Sequence, residues 1–336
     1  MDAFGTDFAV PPGYLNTPSV GIPPAPVAAA VAESVERWRT GATRPGEFDQ
    51  YVTRARAGFA RLLGVGAGRV AIGASASQLV ANVAAALPTG TRVLAAEGDF
   101  TSVTFPFAAQ DLSVTEVPLD LLPERVEGHD VVAVSVVQSA DGRIVDLPAL
   151  RAAAEAAGAA VLLDATQAVG WLPLDVAWAD WVVAAGYKWL LSPRGSAWLY
   201  VRPDAQERTR PVAANWYAGE DPWATVYGLP LRLAGDARAF DLSPVWLAQV
   251  GAAAALEYLG GLDLAQVGAH NTGLADLLLE KLGQPPRGTA IVSLEADPER
   301  AAAAGIVSSV RGGRVRVGFH LYNTADDVER VLRAFE

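Results

Sequence analysis

Three polar features stand at the ends of apolar runs. Lys188 lies in "DWVVAAGYKWLL", with apolar residues on both sides. Burial strips an ammonium of its hydration, so such a lysine either snorkels, stem packed and head in water, or is held as an amine nucleophile able to form a Schiff base with a carbonyl. Asp164 ends the run "VLLDATQ"; it either caps the following turn or presents a carboxylate to a ligand. In "VAIGASASQ", Ala74, Ser75, Ala76 and Ser77 precede a helical pattern. Small side chains permit close backbone approach, and a helix start offers free N–H groups and a positive dipole, which suits a phosphate. The same residues also read as an ordinary N-cap.

The surrounding elements decide whether these features meet. "RVAIGAS", "TRVLAAEG", "DVVAVSVVQ", "AAVLLDAT", "DWVVAAGY" and "SAWLYVR" are short, nearly continuous apolar runs, the pattern of strands covered on both faces. Helical patterns such as "SQLVANVAAAL" and "DLPALRAAAEAAG" alternate with them, so residues 70–200 read as repeated βα units around a mostly parallel sheet. Ligands of such sheets sit at the carboxyl ends of the strands, where all three features fall. A phosphate cradle, a carboxylate and an amine on one sheet edge match the needs of pyridoxal 5'-phosphate. The phosphate is anchored, the lysine takes the aldehyde, and the carboxylate keeps the ring nitrogen protonated as an electron sink.

Two helical patterns ending at glycines, "PPAPVAAAVAESVERWRTG" and "EFDQYVTRARAGFARLLG", precede this region. Residues 203–240 are irregular and rich in aromatics, Gly and Pro, the composition of a lid or an oligomer contact. The helical "LSPVWLAQVGAAAALEYLGG" then leads to "AIVSLEA", "GIVSSVRGGRVRVGFHLY" and "TADDVERVLRAF". These predict a smaller α+β domain whose closing helix has Thr324 as N-cap.

The 336 residues, 51% of them hydrophobic, suffice for a large cored domain and a smaller companion. A formal net charge of -11 disfavours nucleic-acid binding, and no run has a transmembrane pattern. The start "MDAFGTDFAVPPGY" lacks a basic, apolar leader, so the expectation is a soluble cytoplasmic protein with no membrane partner. Cysteine is absent, which removes disulfides, thiolate metal sites and thiol nucleophiles; no metal site is expected.

"VLLDATQAVGWLPLDV" followed by "DWVVAAGYKWLLSPRGSAWLYV" resembles the core of the class V aminotransferase family, of fold type I, which includes cysteine desulfurases, kynureninases and related lyases. The resemblance runs from "YLNTPSVGIPP" to "YNTADDVERVL". It implies an N-terminal substrate-loop segment at 1–21 carrying Asn16, a large cofactor domain at 22–240 and a small C-terminal domain at 241–336. It implies Lys188 as the Schiff-base lysine, Asp164 at the ring nitrogen, Gln167 at the phenolic oxygen and Phe100 stacked on the ring, although Phe100 also reads as core. Ser75, Ala76, Ser77 and Tyr187 would hold the phosphate, Gln138 and Ser139 the phenolic oxygen and substrate carboxylate. Ser243 would reach a phosphate in the partner of a homodimer with interfacial active sites. Arg316 would clamp the substrate α-carboxylate, with Arg311 and Arg314 as competitors. Ala185 and Tyr187 stand where many relatives have Ser and His, and "YLNTPS" departs from the usual "LDNAAT".

Without cysteine, sulfur cannot pass to an enzyme thiolate, whereas β-elimination needs only a base such as Lys188. Trp216, Tyr217 and Trp223 read as the lining of a bulky or cationic subsite or as a packed dimer surface. "VVQSADGR", "DATQAVGWLPLD", "YKWLLSPRG" and "WYAGEDPW" together resemble the ergothioneine-pathway carbon–sulfur lyase branch, which cleaves a cysteine sulfoxide conjugate of a trimethylated histidine. The expected activity is a carbon–sulfur lyase acting on a cysteine-derived amino acid. The alternative is an aminotransferase or a kynureninase-like hydrolase.

Overall fold

The structure, a computed structural model, describes residues 2–335. A small hairpin of β1 (Asp2–Ala3) and β2 (Thr6–Asp7) precedes the helices α1 (Ala25–Arg39) and α2 (Asp49–Leu62). The large domain continues with β3 (Val70–Gly73), α3 (Ala76–Ala84), β4 (Arg92–Ala96), α4 (Thr101–Ala108), β5 (Ser113–Val117), β6 (Val131–Ser135), α5 (Leu147–Ala157), β7 (Ala160–Asp164), β8 (Trp181–Ala185) and β9 (Ala197–Val201). After an irregular stretch come α6 (Trp246–Leu259), α7 (Leu264–Lys281), β10 (Ile291–Leu294), α8 (Pro298–Ala303), β11 (Ser309–Arg311), β12 (Arg314–Gly318) and α9 (Ala325–Phe335).

The seven-stranded sheet has the order β3-β9-β8-β7-β6-β4-β5. All its pairs are parallel except those made by β9, which runs opposite to both β8 and β3. Strands β3, β4, β6, β7 and β8 therefore end on one edge, and each delivers a residue of the site described below. Strands β6 to β9 are buried at every position, as their predominantly apolar content requires. The edge strand β5, "SVTEV", is half solvated and was not apparent from apolar runs, because an edge strand tolerates polar residues facing water.

The small domain pairs β10-β12-β11 antiparallel and packs α7, α8 and α9 around Val292, Val315, Phe319 and Val331. The expected cap at Thr324 takes another form. Asp327 reaches back to accept from the Thr324 N–H at 3.1 Å, so a carboxylate inside the first turn of α9 satisfies the helix start. A boundary at 240/241 divides α6 from the helices on which it rests. Phe48 stacks on Trp246 at 4.8 Å, and a Cβ on Gly58 would lie 2.7 Å from Leu256 Cβ. We propose that the boundary falls after α6.

Residues 14–21 bridge the two regions. Tyr14 and Asn16 form isolated parallel bridges with Val307 and Gly318, and the Gly21 N–H donates to the Tyr187 carbonyl at 2.9 Å. A Cβ on Gly21 would lie 2.0 Å from the Lys188 carbonyl oxygen, so only glycine permits this approach. Gly21→Ala is expected to cost about 1–3 kcal/mol of stability through overpacking, measured by denaturant unfolding. The same substitution lowers activity, because it pushes the segment away from the lysine turn.

Candidate active site

Lys188 sits on the turn after β8. Within it the Gly186 carbonyl accepts from Ser192 N at 3.1 Å, and a Cβ on Gly186 would meet Ser192 Oγ at 2.1 Å. The lysine is 5% exposed. Burial lowers its pKa to about 8; the Asp164 charge partly offsets that, while the cations Arg316, Arg311 and Arg194 add to it. A substantial neutral fraction is thus available near neutral pH.

Two adjoining cavities, of about 350 and 530 Å³, share Phe100, Ser139, Tyr187, Lys188 and Arg194 in their walls. The smaller also takes Ala74–Ser77, Ser135, Asp164, Thr166 and Gln167 from the sheet edge. The larger opens between Pro18–Gly21 and the α1 face formed by Val27, Ala28 and Val31.

Asp164 ends β7 inside the smaller cavity. Its Oδ1 accepts from Thr166 N at 2.8 Å, and Thr166 Oγ1 accepts from Ala185 N at 3.0 Å, so the "DAT" turn is tied to the strand that carries the lysine. Burial raises the Asp164 pKa, opposed by the Thr166 bonds and the Lys188 charge. Gln167 is fixed by its neighbours. Its Oε1 accepts from Trp189 Nε1 at 2.7 Å, which turns Nε2 toward Ser139 Oγ at 3.1 Å and the Pro18 carbonyl at 3.0 Å. Behind Trp189, the fully buried His320 bonds the Trp189 carbonyl through Nε2 at 3.1 Å and Asn271 Nδ2 through Nδ1 at 3.2 Å. Burial lowers its pKa to about 3, so this imidazole is neutral and acts as a spacer for the tryptophan.

Phe100 is 43% exposed and lines both cavities, so it is not a core residue. Lys188 Nζ lies 5.2 Å from its ring centroid and 5.7 Å from that of Tyr187. Sequence reasoning missed the group that sets this ring. Asp99, buried in the turn after β4, accepts from Phe100 N at 2.6 Å and from Ser135 N at 2.7 Å, with a further bond from the Ser135 hydroxyl. The "EGDF" stretch carried that signal: an aspartate just after an apolar run can bond the amide next to it.

Arg316 is 1% exposed and has no carboxylate partner among the described residues. It donates to Ser19 Oγ at 2.8 Å, Ser139 Oγ at 3.0 Å, Ser309 Oγ at 3.1 Å and the Ser139 carbonyl. Burial, with a smaller contribution from Arg311, brings its pKa down to about 10, and it stays cationic at neutral pH. Its competitors separate by contact. Arg314 pairs with Glu295, and Arg311 lines the larger cavity.

Several sequence-predicted residues are not brought to either cavity. The Gln138 side chain turns inward to the Ser135 carbonyl at 3.3 Å. Asn16 packs beside Gly318, and its neighbour Ser19 faces the cavity instead. Trp216 packs against Trp223 and Tyr217 over α2, where Trp223 Nε1 and Tyr217 Oη bond Asp49 at 2.7 and 3.2 Å. These aromatics form no subsite beside Lys188 within one chain. Ser243 is exposed and apart from both cavities. Ser75 caps α3, accepting from Gln78 N at 3.4 Å, and its hydroxyl lies 3.3 Å from that of Ser77.

A parallel sheet whose edge gathers a buried lysine, a buried aspartate and a helix start defines a cofactor-dependent enzyme of the fold type I class. The family model "Aminotransferase class-V" matches residues 24–311, and the chain belongs to that family of pyridoxal 5'-phosphate enzymes. An uncharacterized aminotransferase of Bacillus subtilis, YcbU, is 29% identical, over 83% of this chain and 81% of its own. A kynureninase of Deinococcus radiodurans is also 29% identical, over 79% and 70%. Among solved structures, the apo cysteine desulfurase of Thermococcus onnurineus superposes with a TM-score of 0.82 at 21% identity, covering 96% and 93%. The cystine C–S lyase C-DES, in complex with cysteine persulfide, gives 0.84 at 17% identity, covering 96% of each chain.

The residues fit the cofactor. Asp164 lines the smaller cavity with a carboxylate, Ala74–Ser77 leave room at the start of α3, and Lys188 lies near both the Phe100 and Tyr187 rings. Because Lys188 titrates near pH 8, the rate at which apoprotein captures the cofactor is expected to rise about tenfold per pH unit below 8 and to level above it. Stopped-flow absorbance measures this. Asp164→Asn removes a charge that favours the ammonium and shifts the midpoint down.

Proposed function

We propose that the protein is a carbon–sulfur lyase that cleaves a cysteine-derived amino acid by β-elimination. The observation that carries the reading is a buried, partly neutral Lys188 amine facing both cavities in a chain without any cysteine. Sulfur cannot be handed to an enzyme thiol, so it leaves with its own electron pair.

Bound pyridoxal 5'-phosphate supplies an electron sink for the pair left at the substrate α-carbon. Asp164 would hold the proton on the ring nitrogen, the Gln167 amide, on leaving Ser139 or the Pro18 carbonyl, would donate toward the phenolic oxygen, and the α3 start with Ser75 and Ser77 would receive the phosphate. Arg316 holds the α-carboxylate beside Ser19 and Ser139. Lys188 Nζ takes the α-proton; the Cβ–S bond then breaks with both electrons going to sulfur, and the released enamine hydrolyses to pyruvate and ammonia. Apolar residues of α1 form one wall of the larger cavity.

The test is product analysis with S-substituted cysteines and their sulfoxides. Pyruvate formed in equimolar amount with the sulfur product, without a keto-acid acceptor, supports the lyase. Turnover that requires a keto acid and follows ping-pong kinetics points to an aminotransferase instead. Hydrolysis of kynurenine to anthranilate points to the kynureninase-like alternative, which Tyr187 before the lysine favours.

The finer assignment, a sulfoxide conjugate of trimethylated histidine in ergothioneine biosynthesis, is supported by the four sequence stretches quoted above. The tryptophans expected to receive its cation, Trp216 and Trp223, lie outside both cavities of the chain. We further propose a cytoplasmic homodimer in which Ser243 serves the partner's cofactor. Mixing inactive Lys188→Ala and Ser243→Ala subunits then restores part of the activity, whereas separate active sites restore none.

A further inference from the structure

The larger cavity is electrically one-sided. Lys188, Arg194 and Arg311 line it, and no Asp or Glu does. Arg316 stands just behind the wall, bonded to the lining residues Ser19 and Ser139. The one carboxylate of the adjoining cavity, Asp164, belongs to the cofactor end.

Two of these cations have no assigned task. Arg194 lays its guanidinium over the Tyr187 ring at 5.2 Å and makes no ion pair among the described residues. Arg311 donates to the neighbouring Val310 carbonyl at 2.8 Å and likewise has no carboxylate among the described residues. On the same small sheet Arg314 does hold one, Glu295. The same cavity also has an apolar lining in Val20, Val27 and Val31. A cavity with one apolar wall and an uncompensated cationic rim is complementary to an aliphatic chain ending in an anion.

We infer that the substrate's departing side chain carries a second anionic group, a carboxylate, read by Arg194 and Arg311. This rests on the reading that an α-amino acid reacts at Lys188 with its own carboxylate on Arg316. Arg194 and Arg311 are then specificity residues, since they touch the far end of the substrate and not the reacting atoms.

The holoenzyme is titrated calorimetrically with 3,3'-thiodipropionate, which has both carboxylates but no amine, and with its monomethyl ester. For contacts at a solvent-facing rim the diacid is expected to bind about tenfold tighter. In the Arg194→Gln/Arg311→Gln double variant that ratio falls below about twofold. The inference is overturned by equal affinities in the wild type or by a ratio that survives the double substitution. It is also overturned if Arg194→Gln weakens cofactor retention and leaves the ratio intact, which would assign Arg194 to the phosphate.

Turnover of S-(2-carboxyethyl)-, S-propyl- and S-(2-aminoethyl)-cysteine sulfoxides separates this inference from the lyase reading. A diacid preference with no pyruvate from any conjugate leaves the anion site standing and removes the lyase. Equal pyruvate release from all three, with a flat titration, removes the anion site and keeps the lyase.

Discussion

Lys188→Ala is expected to lower kcat/KM by at least about a thousandfold, because in the proposed lyase one side chain both receives the cofactor aldehyde and moves the α-proton. Pyruvate release measures the loss, with circular dichroism checking the fold. The substitution also removes the cation that opposes burial at Asp164, so the carboxyl pKa rises further. Lys188→Arg separates the two effects. It keeps the charge near Asp164 but cannot give up its proton at working pH, and it is expected to be as inactive as the alanine variant. Activity within tenfold of wild type in either variant would remove Lys188 from the chemistry.

Arg316→Gln comes second, with KM expected to rise about a hundredfold and kcat to change less, the signature of a lost ground-state contact. The guanidinium is buried behind the cavity wall, and among the described residues it is partnered by serine hydroxyls and one carbonyl, so no carboxylate there neutralises its charge. Arg316→Lys should not restore the affinity, since an ammonium cannot reproduce the planar fork that meets a carboxylate with two parallel bonds. Substrate saturation curves for the three proteins decide the matter. An unchanged KM in Arg316→Gln would pass the role to Arg311.

The βα core and its chemical edge were legible because unbroken apolar runs end at Ala74–Ser77, Asp164 and Lys188, each a polar departure from a buried strand. Side-chain direction was not legible. Gln138 and Ser139 are adjacent in sequence, yet one points to the Ser135 carbonyl and the other into both cavities. The same holds for Asn16 and Ser19, whose difference is set by the bridge to Gly318. Helix α7 was hidden by Gly268 and Gly273, which interrupt its helical pattern. A Cβ on Gly268 would lie 2.6 Å from the Trp171 carbonyl, so close packing explains a residue that weakens the helical signal. Asp99 escaped notice because its distant partner, Ser135, comes from the end of another strand, β6.

Elimination from a cysteine sulfoxide sets free a sulfenic acid, an electrophile that condenses with whatever thiol it meets. Neither cavity wall contains sulfur, and the chain has no thiol anywhere. A lyase acting as proposed would be immune to capping by its own product. It should hold a constant rate over many turnovers without added reductant, where a thiol-bearing counterpart would fade.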